Sequence, residues 1–222
     1  MQKFDTPAQV TAVLDIAAGR IQLIGADRAD TTVDIRPANA SKNRDVKAAE
    51  QTQVVFADGV LRITGPEAKN QILGGSGSVE VTVQLPVGSA VEAKAADAEL
   101  RGVGRLGDVT FESARGSVKV DEADSAHLTL QSGDVSVGRL GGSAEISTLK
   151  GDLRITEAVR GTVTLRTEQG AISVGAARGA SASLDAGTAY GRIHNTLKNA
   201  DGEAALNIHA TTSYGDITAR SL

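Results

Sequence analysis

A chain of 222 residues can bury a large core, but with no cysteine, no tryptophan, three Phe and two Tyr, that core must be built from Val, Ile, Leu and Ala. The missing cysteines exclude disulfide frameworks and thiol chemistry. A formal net charge of −4 with interspersed signs excludes the basic footprint of a nucleic-acid binder.

The opening "MQKFDTPAQVTAVLDIAAG" has no basic segment followed by an apolar stretch, so no secretory leader is read. No apolar run approaches the ~20 residues that span a bilayer. The expectation is a cytoplasmic protein without membrane insertion, with a surface role open if a leader is missing from the sequence. The next segments, "AVLDI" (12–16), "RIQLIG" (20–25), "TTVDIRP" (31–37), "TQVVFADGVLRITG" (52–65) and "SVEVTVQLP" (78–86), predict strands joined by hairpin-like "AAG" and "ADG" turns. "NRDVKAAEQ" (43–51) reads as a short helix or a loop.

From residue 107 a unit of Gly, one small or polar residue and alternating apolar positions keeps returning. Its instances are "GDVTF" (107–111), "GSVKV" (116–120), "GDVSV" (133–137), "GDLRI" (151–155), "GAISV" (170–174), "GRIHN" (191–195) and "GDITA" (215–219). A second alternating set gives Phe111, Leu130, Ile146, Leu165, Leu184 and Ile208 as equivalent positions, and "VEA" (91–93) extends it upstream. Alternation of period two means strands with one buried face. Coils of ~16–24 residues with Gly-marked corners predict a β-solenoid, each coil ~4.8 Å above the last.

The expected organisation is one domain over 1–222, with irregular N-terminal coils and capping strands over 1–90 and regular repeat coils over 91–222. Two inward ladders are expected. One is Val109, Val118, Val135, Leu153, Ile172, Ile193 and Ile217, and the other is the second set above. The final coil, "LNIHATTSYGDITARSL", should leave Ile208 and Ile217 at an open end. That predicts a homo-oligomer, most simply a two-fold dimer, formed through the C-terminal coil.

Motifs that carry chemistry are few. "GVGRLG" (102–107) has the dinucleotide-binding spacing, but strand follows it rather than the helix such a site needs. Asp108, Asp134, Asp152 and Asp216 follow corner glycines, a column interrupted by Ser117, Ala171 and Arg192 and explained by turn chemistry. "GGSGSVEV" (74–81) occurs once and lacks the Asp of calcium-binding repeats. His127, His194 and His209 are expected on the surface and lack zinc-like spacing. No catalytic residues, metal ligands or cofactor are therefore expected.

Both tyrosines sit in one recurring phrase, "AYGRI" (189–193) and "SYGDI" (213–217). Tyr190 and Tyr214 should stack on adjacent coils, either as a structural ladder or as a platform for a ligand. Tyr190, Arg192, His194 and Tyr214 form the candidate surface patch, for a glycan or a protein. The phrases "LQSGDVSVGRLGG", "LRTEQGAISV" and above all "TSYGDI" resemble the bacterial putative-adhesin β-helix family, a group of unknown function. The resemblance covers Val91–Leu222 well, and "DIAAGRIQLIGADRADTTVDI" with "GVLRITGP" is similar to that family's opening. It implies a single-stranded right-handed parallel β-helix and a non-catalytic binding or scaffold role. Alternatives from other classes are a self-assembling structural solenoid and a carbohydrate-active β-helix enzyme.

Overall fold

The computed structural model describes residues 1–66, 77–199 and 204–222. The "GGSGSVEV" stretch before residue 77, and residues 200–202 of the corner after Asn195, lie outside the described residues. Among the described residues, seventeen strands join in one sheet that stacks as coils around a single, mainly aliphatic core running from Val10 to Ile217.

The N-terminal third departs from a regular coil. Strand β2 (Thr11–Ala26) lies parallel to the first part of β7 (Ala90–Arg115), with Thr11 opposite Ala90 and Gly25 opposite Gly104. On its other edge β2 pairs parallel with β5 (Val60–Thr64) and β6 (Ser78–Pro86). Beyond these the sheet turns antiparallel. β4 (Gln53–Ala57) pairs with β5, and β3 (Asp30–Pro37) pairs with both β6 and β1 (Gln2–Asp5).

The "ADG" turn is the expected hairpin: Asp58 and Gly59 both take positive φ, 52° and 74°, as a two-residue β4–β5 connection requires. "AAG" is not a hairpin. β2 runs straight through it, and Gly19 sits so close to the next strand that an added Cβ would lie 1.8 Å from the Val79 carbonyl oxygen. Residues 43–51 form the helix α1 (Asn43–Gln51), which packs on β3 and β6 through Ala48. Its buried Asp45 accepts a hydrogen bond from the Ser78 N–H at 3.1 Å. Nearby, the Asp30 carboxyl is lowered to about 2 by hydrogen bonds from the Arg28 guanidinium and the Lys3 ammonium.

From β7 on, parallel coils stack. β8 (Val118–Ser132) pairs with β7 on one edge and with β9 (Val135–Leu140) and β10 (Ala144–Lys150) on the other. β11 (Leu153–Ala158) and β12 (Gly161–Gln169) follow on β9 and β10, and β13 (Ile172–Ala176) on β11.

Here the stacking order leaves the chain order. β14 (Ala182–Tyr190) and β15 (Ile193–Thr196) do not lie on β12 and β13. The last coil, β16 (Leu206–Tyr214) and β17 (Ile217–Ser221), occupies that place. β14 and β15 pair with its far edge. The final coil is thus an interior one, with Ile217 1% exposed, and the coil before it closes the stack, with Ile193 47% exposed. This corrects the expectation of an open C-terminal coil. The physical reason lies in the inward residues. One column reads Val120, Val137, Ile155, Val174, Ala219 and Asn195 in stacking order. An inward asparagine is tolerable at the wet end and costly between two coils.

The ladders need a second correction. Leu100, not Val109, precedes Val118 in the column of Val118, Val135, Leu153, Ile172, Ile217 and Ile193. Phe111 stacks with Leu128, Ile146, Leu165, Ala210 and Ala186. Leu130 instead lies between Ser113 and a run of Thr148, Thr167, Thr212 and Thr188, and Leu184 stacks on Ile208 and, beyond it, Val163. Coil lengths vary at the corners, so counting along the chain slips by one inward position.

Leu165 is wholly buried, whereas Arg166 belongs to the outward set of β12. Leu165→Ala should lower stability by about 2–5 kcal/mol, from lost transfer energy and a residual cavity. Arg166→Ala should stay within about 0.5 kcal/mol. Urea denaturation checks both, and equal losses would contradict the assignment of faces.

Candidate functional site

The four predicted patch residues lie around the Gly191 corner, where the terminal coil β14–β15 meets the intercalated coil β16–β17. Tyr190 ends β14, pairs with Tyr214 at the end of β16, and stacks on it. The ring centroids are 4.9 Å apart and the planes differ by 4°. The rings stand outward, 67% and 56% exposed, so the pair is a surface stack and not a buried ladder.

The local sequence dictates this arrangement. Each tyrosine precedes a corner glycine, and the corner glycines form a column of close backbone contacts, Gly116, Gly133, Gly151, Gly170, Gly215 and Gly191. A Cβ at Gly215 would lie 1.9 Å from the Gly170 carbonyl oxygen, and one at Gly191 2.0 Å from that of Gly215. From inside, the Thr212 and Thr188 hydroxyls donate to the Gly170 and Gly215 carbonyls, each at 3.0 Å. The corner is held from both sides, which fixes the tyrosines at the coil spacing.

Arg192 follows the corner, its side chain almost fully exposed, and its guanidinium meets the Asp216 carboxylate at 3.3 Å. The Arg192 backbone N–H donates to Asp216 Oδ1 at 2.8 Å. That backbone bond, with the Arg192 charge, holds the Asp216 carboxyl below its ordinary range despite some opposing desolvation. His194 is exposed on β15, one position from Ile193. The structure therefore brings Tyr190 into contact with Tyr214 and ties Arg192 to Asp216, while His194 shares only the coil.

The aspartate column has a structural job. Asp134 accepts from the backbone N–H of Asp152 at 2.8 Å, and Asp152 from that of Ala171 at 2.7 Å, as Asp216 does from Arg192. Each carboxylate bridges one coil to the next. Asp108 stands outside this column and accepts from the Ser125 hydroxyl at 2.5 Å. "GVGRLG" lies wholly inside β7 with no helix after it. His127 faces Glu145 at 3.6 Å and His209 faces Asp185 at 3.4 Å, all outward. Among the described residues no three His, Asp or Glu side chains are grouped to hold a metal ion, and no helix is long and apolar enough to cross a membrane.

Sequence reasoning missed two features. One is an open groove of about 770 Å³ lined by Asp15, Ile16, Ala95, Ser113 and Leu130 and crossed by the Lys94–Glu112 ion pair at 3.3 Å. It forms between coils distant in sequence, so no local pattern marks it. The other is the terminal position of β14–β15, for which Asn195 in place of an inward aliphatic was the available signal.

Among solved structures, a putative adhesin from Parabacteroides distasonis ATCC 8503 is 13% identical over 98% of this chain and 95% of its own, with a TM-score of 0.50. A putative adhesin from Bacteroides fragilis NCTC 9343 is 11% identical over 98% and 95%, with a TM-score of 0.45. A putative lipid binding protein from Parabacteroides distasonis ATCC 8503 is 12% identical over 98% and 95%, with a TM-score of 0.48. No curated protein matches the chain. The sequence profile of the Toastrack DUF4097 family covers residues 13–221, nearly the whole stack from β2 to β17, and the chain belongs to that family.

Proposed function

We propose that this protein is a non-enzymatic β-solenoid binding module of adhesin-like type, wound as a right-handed parallel β-helix. Its ligand patch is Tyr190 and Tyr214 with Arg192 just past the corner and His194 farther along β15, and the proposed ligand is a glycan. Right-handed winding is the general sense for parallel strands joined by crossovers. The carrying observation is that a chain with only two tyrosines stacks both, ring planes parallel and more than half exposed, on one corner. The Tyr190 ring, 67% exposed on the terminal coil beside the Arg192–Asp216 pair, suits the C–H face and hydroxyls of a sugar ring. The similarity to a putative adhesin from Parabacteroides distasonis agrees with a binding role.

The test is a glycan array read with wild type, Tyr190→Ala, Tyr214→Ala and the two Phe variants. Because the rings are mostly exposed, each Ala variant should lose only about 0.5–1.5 kcal/mol of stability and remain folded. Glycan binding should fall below detection in both Ala variants and persist in both Phe variants. No binding by wild type, or binding unchanged in the Ala variants, would contradict the reading.

A further inference from the structure

We propose that the ligand is a linear neutral glycan, bound as an extended chain along a row of four corner side chains, Tyr190, Tyr214, Gln169 and Lys150. This rests on the glycan-binding function proposed above and names the class of glycan. Tyr190 pairs with Tyr214, Tyr214 with Gln169, and Gln169 with Lys150, so the four stand in one column on successive coils. All four are exposed.

One repeated backbone contact aims them alike. The N–H groups of the corner glycines Gly133, Gly151, Gly170 and Gly215 donate to the carbonyls of Lys150, Gln169, Tyr214 and Tyr190 in turn, at 2.8–3.0 Å. Behind them, the inward Thr148, Thr167, Thr212 and Thr188 hydroxyls each donate to a corner carbonyl. The row is therefore held at the coil spacing before any ligand arrives. Neither the Gln169 amide nor the Lys150 ammonium has a hydrogen-bond or ion-pair partner among the described residues.

At ~4.8 Å per coil, the four positions span about 14 Å. A β-1,4-linked pyranose chain is extended because its linkages are equatorial, and it advances close to one coil spacing per sugar. Each sugar can then meet one side chain. The tyrosines offer apolar surface, and the amide and ammonium offer donors to hydroxyls. Leu149, next to Lys150 in the chain, is half exposed and adds apolar surface at that end. Charge selects a neutral chain. Across the corner glycines stand the exposed carboxylates of Asp134, Asp152 and Asp216, so a glycan with an acid on every sugar would be repelled along the row.

The experiment is isothermal titration calorimetry of the full chain with β-1,4-linked oligomers of glucose, mannose and N-acetylglucosamine, of two, four and six sugars. Affinity should rise roughly tenfold from two sugars to four, as Gln169 and Lys150 are engaged, and little from four to six. Gln169→Ala and Lys150→Ala, with folding checked by thermal melts, should remove most of that rise and leave the affinity for two sugars unchanged. The hexamer of mannuronic acid, β-1,4-linked and acidic, should bind more weakly than the tightest neutral hexamer. Glycan binding on the array without a rise from two sugars to four would overturn the row and leave the binding function standing. So would a rise that both Ala variants retain, or tighter binding of the acidic hexamer. A wild type that binds no glycan at all would overturn both.

Discussion

Ile217→Ala will destabilise the protein by about 2–5 kcal/mol, the range for a large aliphatic removed from a closed core. Ile193→Ala will cost about 1 kcal/mol or less, since half of that side chain is already in water. The two residues are neighbours in one column, with Ile172 on the far side of Ile217. If coils stacked in chain order, Ile217 would be the terminal member and the ranking would reverse. The difference thus reports which coil is interior. Urea midpoints at unchanged m-value measure it. Losses that are equal, or larger for Ile193→Ala, would contradict the intercalated C-terminus.

Gly170→Ala should be worse still. Gly170 has φ 157°, and its added Cβ would lie 2.0 Å from the Gly151 carbonyl oxygen, a backbone atom that cannot swing aside. The two coils would have to separate at the corner, breaking their shared hydrogen bonds and the cover on the core. A loss above about 4 kcal/mol, or failure to fold, is expected. Gly179→Ala is the internal control. It has φ 77° in the connection between β13 and β14, and no atom lies within 4 Å of the Cβ position. Only the backbone preference is lost there, about 1–2 kcal/mol. Thermal and chemical denaturation of both variants provide the check, and similar losses would show that the corner column is not closely packed.

Much of this architecture was legible in the sequence because the signals are local. Alternation marked the strand faces, recurrent glycines marked the corners, and Asp58-Gly59 marked a hairpin. The shared position of Tyr190 and Tyr214 before corner glycines marked their stack. Coil order was not legible from the alternation alone, since "ASL" (182–184) and "LNI" (206–208) present the same inward pattern and each fits on Val163. The choice turns on which coil can bear water at its core column, and Asn195 against Ala219 decides it. The same blindness displaced Leu130, whose column is set by corner lengths, and hid the groove beside Ile16 and Leu130. At the patch, the sequence placed the tyrosines in one stack and left open whether they are a structural ladder or a platform; the structure exposes both rings. That exposure weakens their part in stability.

The intercalation can be tested directly because the chain has no native cysteine to compete. Thr164 pairs with His209, and His209 with Asp185, in one outward column. Adjacent parallel strands lie ~4.8 Å apart, within disulfide reach, whereas strands two coils apart lie about 9.6 Å away, beyond the ~7 Å limit. Under mild oxidation, the variant with cysteines at 164 and 209 should form an intramolecular disulfide. The variant with cysteines at 164 and 185 should stay reduced. A disulfide between 164 and 185, with none between 164 and 209, would restore the sequential order and contradict the C-terminal coil's place inside the stack.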